Sequence, residues 1–248
     1  MNYNYIINPI TNRKVSIYNK IGKEVLKGYI VYLKNQRGGG ELCDINCLHN
    51  IFGDFKKPSD TTVDLNDTRD QKYVKNTYGT LTPEGVNKLI KYLSIDKNDI
   101  FTDLGSGIGN IVMNFAANTD VKLSRGIEFL KSRHYAGLNY LKKFEEEMGG
   151  KVNTKIELIN GDIYDYDYSD STIVFACSTC FPNELMDNIV KKCEQNKNLK
   201  YFITQKILED NINLDHIGNV VLKASWNSKC VFKIYKNKFQ NSKLLLVN

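Results

Sequence analysis

The run Ile100-Phe101-Thr102-Asp103-Leu104-Gly105-Ser106-Gly107-Ile108-Gly109-Asn110 constrains this chain more than any other segment. It reads as an apolar strand, preceded by the polar turn Asp96-Lys97-Asn98-Asp99, that runs into a glycine loop and then a helix. Glycines at alternate positions let the backbone turn sharply and come close to a ligand. Ile111, Val112, Phe115 and Ala116 then recur at helical spacing. A nucleotide-binding βαβ unit wants an acidic residue roughly 20 residues further on, and Glu128 supplies it at the end of the next apolar run, Val121 to Ile127. The pattern predicts a Rossmann-like unit that grips a nucleoside cofactor.

The rest of the chain extends that unit. Upstream, Thr82 is a good helix N-cap, Pro83 suits the first helical position, and Val86, Leu89, Ile90 and Leu93 make an apolar face. Downstream, a long helix is expected from about Lys131 to Glu147, closed by Gly149-Gly150, followed by strands at Lys155 to Asn160 and Thr172 to Ala176. A helix starting at Pro182 and running to about Cys193 leads to a strand at Tyr201 to Thr204. Val220 to Ala224 and Val231 to Tyr235 flank an Asn227-Ser228 turn and read as a terminal hairpin. Strands alternating with helices, then a hairpin, predict an α/β fold with a mostly parallel sheet and one antiparallel strand. Residues 1 to about 75 lack a sustained helical period and are broken by Arg37-Gly38-Gly39-Gly40, so they are expected to form a small N-terminal appendage to a domain spanning 76–248.

Charge and cysteine usage limit the setting. At 248 residues with 42% hydrophobic content, the chain can bury one substantial core. Its net charge of +6 is unevenly spread, since after Asp215 it carries Lys223, Lys229, Lys233, Lys236, Lys238 and Lys243 and no acid. That end is expected either to attract polyanions such as nucleic acid or to be a solvated lysine face. The six cysteines lie in a chain whose start, Met1-Asn2-Tyr3-Asn4, does not look like a signal peptide, so a reducing intracellular compartment, nucleus or cytoplasm, is expected. No apolar run approaches the ~18 residues of a spanning helix, and no membrane association is expected. Cys43, Cys47 and His49 offer three zinc ligands without a fourth at usual spacing, so ordinary thiols are expected and no metal. His134 and His216 belong to no motif and read as structural or exposed.

Asp103, Glu128 and Asp162 each fall at the carboxyl end of a predicted strand, where an open α/β sheet binds its ligand. The spacing suits a single nucleoside with an amino-acid tail: Asp103, Gly105 and Gly107 near the tail, Glu128 on the ribose hydroxyls, and Asp162 with Ile163 at the adenine. A carboxylate accepts both ribose hydroxyl protons, which an amide does only in part. This arrangement resembles that of S-adenosylmethionine in class I methyltransferases.

The resemblance narrows at Tyr78-Gly79-Thr80-Leu81-Thr82-Pro83-Glu84, the glycine loop, Gly126-Ile127-Glu128, Gly161-Asp162, Val174-Phe175 and Ser225-Trp226-Asn227-Ser228-Lys229. In this order the motifs resemble the disruptor-of-telomeric-silencing family, the non-SET histone lysine methyltransferases, over about residues 70 to 240. The resemblance implies that Tyr78, Thr80, Asp103, Gly105, Asn110, Glu128 and Asp162 bind the cofactor, and that Trp226 and Phe232 help wall a lysine channel. It implies a protein substrate, a histone or nucleosome. A short opening segment, Asn8-Pro9-Ile10-Thr11-Asn12-Arg13-Lys14-Val15 with Gly22-Lys23, resembles a module of proteins encoded by large DNA viruses of eukaryotes.

The chain also departs from the family pattern. Where the family ends its fourth strand with Asn-Asn-Phe-Ala-Phe, this chain has Cys177-Ser178-Thr179-Cys180-Phe181. Phe181 is retained, and the hydroxyls of Ser178 or Thr179 must stand in for the lost asparagine or the target has changed. Cys177-x-x-Cys180 also admits a redox reading. The long basic extension by which family members grip nucleosomal DNA is not seen. A protein-lysine methyltransferase is therefore expected, with a nucleic-acid (RNA) methyltransferase and a non-catalytic cofactor-binding interaction module as the alternatives. The absence of an Asn-Pro-Pro-aromatic segment at Ala176 to Thr179 counts against base methylation.

Overall fold

A computed structural model describes residues 4–8, 13–23, 25–26, 79–148, 150–208 and 213–238. The chain divides into two compact units, 1–41 and 42–248. In the first, β1 (Tyr5–Asn8) and β2 (Arg13–Ser16) form an antiparallel hairpin, with Tyr5 opposite Ser16. The expected boundary near residue 75, and the cysteine pair Cys43 and Cys47 with His49, lie outside the described residues.

The second unit opens with α1 (Pro83–Tyr92). The Thr82 hydroxyl accepts the Gly85 N–H at 3.3 Å and Pro83 stands at the start, as its residue types predict. There follow β3 (Ile100–Leu104), α2 (Asn110–Ala117), β4 (Leu123–Glu128), α3 (Lys131–Met148), β5 (Lys155–Asn160), β6 (Ile173–Ala176), α4 (Asn183–Gln195), β7 (Tyr201–Thr204), β8 (Leu214–Leu222) and β9 (Cys230–Asn237). The seven strands β3 to β9 lie in the order β5-β4-β3-β6-β7-β9-β8. Neighbours from β5 to β7 are parallel, and β9 is antiparallel to both β7 and β8, so it is the one reversed strand.

Alternation along the strands divides the core between the two faces. Phe101, Phe175, Ile203, Phe232 and Ile234 point to the side covered by α1 and α2, where the Phe101 and Phe115 rings stack 3.9 Å apart. On the opposite face Leu104, Val174, Ala176 and Phe202 meet Met186, Ile189 and Cys193 of α4. Helix α3 joins the α2 side through Phe144 and Met148, which pack with Ile108 and Met113. Helices on both faces explain why β3, β4, β6 and β7 are almost continuously buried.

Strand β8 begins at Leu214, well before the expected Val220. Its first half is polar because it is an edge strand with a bulge between His216 and Gly218, and edge residues such as Asp215 and Asn219 need no apolar partner on the outer side. No described helix is long and apolar enough to cross a membrane.

Candidate cofactor and acceptor site

The chain leaves β3 toward β4 on one side and reaches β6 on the other, so the sheet reverses its winding between β3 and β6. A crevice must open outside the carboxyl ends of these two strands, and the glycine loop fills its floor. Gly105, Gly107 and Gly109 all take the left-handed conformation, at φ 81°, 58° and 78°. The loop is tied to the next strand, since the N–H groups of Gly105 and Ser106 donate to the Ile127 carbonyl at 2.9 and 3.0 Å. Gly126 is needed for that closeness, because a Cβ there would stand 2.6 Å from the Ser106 Cβ and 2.8 Å from Val112.

Two acids at strand ends face this loop in different states. Glu128 is 6% exposed, and each of its oxygens accepts one backbone N–H, from Gly107 at 2.8 Å and from Leu130 at 2.9 Å. Burial raises its pKa, with the Arg133 charge and the two N–H groups acting in the other direction. Each oxygen keeps a lone pair for a further donor. Asp103 is 1% exposed, and neither carboxylate oxygen has a hydrogen-bond partner. Burial and the nearby negative charge of Glu128 push Asp103 up to about 8. A buried carboxylate without a donor is costly, and a cationic amine entering the crevice is the group that would relieve it. The third acid, Asp162, is exposed after β5, and its carboxylate accepts the Tyr164 N–H at 2.8 Å, while Ile163 beside it is buried.

The rim above the glycine loop is built by two segments distant in sequence. Thr80 donates its hydroxyl to Asn110 Oδ1 at 2.8 Å, and Asn110 Nδ2 donates to the Leu81 carbonyl at 3.3 Å. The Ser225 N–H donates to the Thr80 carbonyl at 2.8 Å, the Ser225 hydroxyl accepts from Thr80 N–H, and Leu81 bridges Ala224. Trp226 lies directly over Gly79, where any Cβ would collide with its ring, and is 45% exposed. Tyr78, also expected here, lies outside the described residues.

The segment after β6 forms the opposite wall. Ser178 is buried and shares a 2.7 Å hydrogen bond with the Thr204 hydroxyl; Thr179 donates to Gln205 Oε1, as does the Cys177 thiol at 3.6 Å. The Phe181 ring approaches the glycine loop so closely that a Cβ on Gly105 would be 3.1 Å from its Cζ. Phe232 is fully buried and stacks on Phe175 at 5.3 Å, so it stands in the core behind the wall. Burial, with Asp103 nearby, pushes the Cys177 thiol up, which disfavours the thiolate that redox or nucleophilic chemistry would need. Cys177 and Cys180 are both free thiols.

Gln205 and Lys206 are the site residues that the sequence did not point to. Lys206 Nζ donates to the Phe181 carbonyl at 2.7 Å and to Asn183 Oδ1 at 2.9 Å. It is the pairing of β7 with β6 that brings them to this wall.

With this geometry in place, comparison with known proteins decides the kinship. The family described as "Histone methylation protein DOT1" matches residues 61–228, more than half of the chain. The chain belongs to the DOT1 family. A "Histone-lysine N-methyltransferase, H3 lysine-79 specific" of Caenorhabditis elegans is 34% identical to this DOT1-family chain over 126 residues, covering 47% of the chain and 13% of the relative. A "Protein-lysine N-methyltransferase" of Saccharolobus islandicus (strain REY15A) is 26% identical over 121 residues, covering 48% of the chain and 71% of the relative. The DOT1-family chain thus spans only a small share of the nematode protein's length. Among solved structures, M. capricolum TrmK in complex with S-adenosyl-homocysteine aligns at TM-score 0.46 and 13% identity over 62% of this chain and 67% of that one, a likeness too slight to carry an argument. In this DOT1-family chain the glycine loop is flanked by Asp103, Glu128, Asn110 with Thr80, and Phe181.

Proposed function

We propose that this chain is an S-adenosylmethionine-dependent protein-lysine methyltransferase whose acceptor is a histone or another basic protein. The observation that carries the reading is Asp103, a buried carboxylate with two unpartnered oxygens at the glycine loop, in a chain of the DOT1 family. A nucleoside with a cationic amino-acid tail answers that need: Asp103 would hold the amino group, the free lone pairs of Glu128 the ribose hydroxyls, and Asp162 and Ile163 the base. Gly105 and Gly107 let the backbone approach the tail, and Thr80 with Asn110 would close the site from above; Tyr78 is proposed for the same task. When bound, S-adenosylmethionine supplies an electrophilic methyl on a positively charged sulfur.

The chain's own residues then have two tasks. One is alignment, because an in-line displacement needs the acceptor nitrogen held in a near-attack line. Phe181 and Trp226 are proposed to flank the acceptor, with Phe232 backing them and the hydroxyls of Ser178 and Thr179 fastening the wall. The other is deprotonation. A free lysine titrates near ~10.4, and an apolar aromatic channel lowers that value by desolvation, so no dedicated base is required.

The lysine-rich end gives little support to a nucleic-acid substrate. Lys223 reaches Glu84 at 3.4 Å, Lys233 donates to the Gln205 carbonyl at 2.5 Å, Lys236 sits 5.2 Å from the Tyr201 ring centroid and Lys238 lies 3.8 Å from Asp215. Most of the described lysines there already have partners within the fold.

The test is transfer of labelled methyl to nucleosomes, free histones, total protein and RNA, with Asp103→Ala as control. Label on lysine that disappears in the control is expected. Label on RNA alone, or none on any protein, would overturn the reading.

A further inference from the structure

Three consecutive residues, the last of β7 and the two after it, together hold four residues of the segment after β6. The Thr204 hydroxyl binds Ser178, Gln205 Oε1 accepts from both Cys177 and Thr179, and Lys206 Nζ donates to the Phe181 carbonyl. The register explains the alignment: Ala176 pairs with Thr204, so where the two strands leave the sheet, residues 177 onward run beside 205 onward. Gln205 is in turn fixed from the far side, because Lys233 of β9 donates to its main-chain carbonyl. The anchored segment ends on the Phe181 ring, which presses against Gly105, with Ile163 next to the same glycine.

We propose that Gln205 is a positioning residue for the methyl-transfer site: it fixes the 177–181 segment so that Phe181 closes the glycine loop on the acceptor side. The inference rests on the methyltransferase reading above and adds to it a residue outside the motifs that support that reading. The chemistry of a carboxamide explains the choice of residue. One carbonyl oxygen with two lone pairs collects two donors from the opposing segment, and the side chain is long enough to reach both. Cys177 is not suited to hold the segment on its own, since a thiol is a weak donor; it is held.

Gln205→Ala removes the shared acceptor, and Gln205→Glu keeps an oxygen that accepts from both groups. Three readouts are taken on the purified chain. The first needs no catalysis: the rate at which a maleimide labels Cys177, identified by peptide mapping, should rise at least about fivefold in Gln205→Ala as the segment loosens. The second is S-adenosylhomocysteine affinity by calorimetry, expected to weaken about three- to tenfold. The third is the acceptor kinetics, in which KM for the protein substrate should rise more than kcat falls. Gln205→Glu should return all three toward wild type, which a merely structural defect of the sheet would not predict. Unchanged Cys177 labelling and unchanged S-adenosylhomocysteine affinity in Gln205→Ala would overturn the proposal. If wild type fails to bind S-adenosylhomocysteine, the methyltransferase reading falls instead, and the labelling experiment still reports whether Gln205 holds the segment.

Discussion

With Asp103 holding the ligand's amino group as proposed, ligand binding is a proton-linked event. In the free protein Asp103 ionises near 8 instead of its ordinary 3.8. A cationic amine needs the ionised form, so below about pH 8 binding must expel a proton, and affinity should fall as pH is lowered from 8 to 6. The limit is about tenfold per pH unit. Calorimetry of S-adenosylhomocysteine in buffers of different ionisation enthalpy counts the proton directly; Asp103→Asn should bind more weakly and lose the slope. A flat wild-type profile would contradict the assignment. Stability runs the opposite way with pH, because the folded free protein favours the protonated form. Between 3.8 and about 8 the folded state retains a proton that the unfolded state has released, so this residue's contribution is most favourable at low pH and declines as pH rises through that window. Gly79 offers a second residue-scale test, because Trp226 is the sole tryptophan and its ring occupies the space of a Cβ. Gly79→Ala should displace the indole, red-shift its emission and reduce turnover, leaving Tm within a few degrees. The strand-end acids were legible because each terminates its own apolar run. Gln205 was not, because its partners lie 26 to 28 residues earlier and meet it only through the β6–β7 register.

One helix is fastened to the loop after β5 by the cation of Lys192. Lys192 of α4 donates to the carbonyls of Ile163 at 3.2 Å, Tyr164 at 2.6 Å and Tyr166 at 2.9 Å, and sits 5.3 Å from the Tyr168 ring centroid. Those carbonyls belong to the loop that follows Asp162. Lys192→Met keeps the length of the stem and removes the donors. Amide exchange at Tyr164 and Tyr166 should accelerate, and S-adenosylhomocysteine affinity should drop about three- to tenfold, as expected for losing charge-assisted bonds. Elements with local signals were read well: Thr82-Pro83 at the start of α1, the Lys131 start of α3, and β5 and β7 residue for residue. The opening half of β8 failed because its pattern is that of an edge strand, where burial on one side is too weak to impose alternation. The β1–β2 hairpin escaped because four-residue strands leave too short a pattern to detect.

At the scale of the whole molecule, stability and chemistry occupy opposite ends of the sheet. Before β3, the Asp99 carboxylate is almost fully buried, accepts the Thr172 hydroxyl at 2.7 Å and the Asp96 N–H at 2.8 Å, and pairs with Lys200 at 2.7 Å. It joins the approaches to β3, β6 and β7 far from the glycine loop. Asp99→Asn should cost about 2–3 kcal/mol, below the range for a fully buried pair because Lys200 is partly exposed. Thermal denaturation should show the loss with S-adenosylhomocysteine affinity unchanged. The sequence conveyed the strand order here only as a class, because adjacency across the sheet is set by crossovers and not by any local signal. The position of β9 has a further consequence for how the molecule is made. Among the described strands it is the last of the sheet to leave the ribosome, yet it lies between β7 and β8. Until it arrives β8 has no partner, and the nascent sheet ends at β7 with a bare edge. Loss of the chain after residue 229 would therefore strip two strands, not one, and leave Gln205 without the lysine that steadies it.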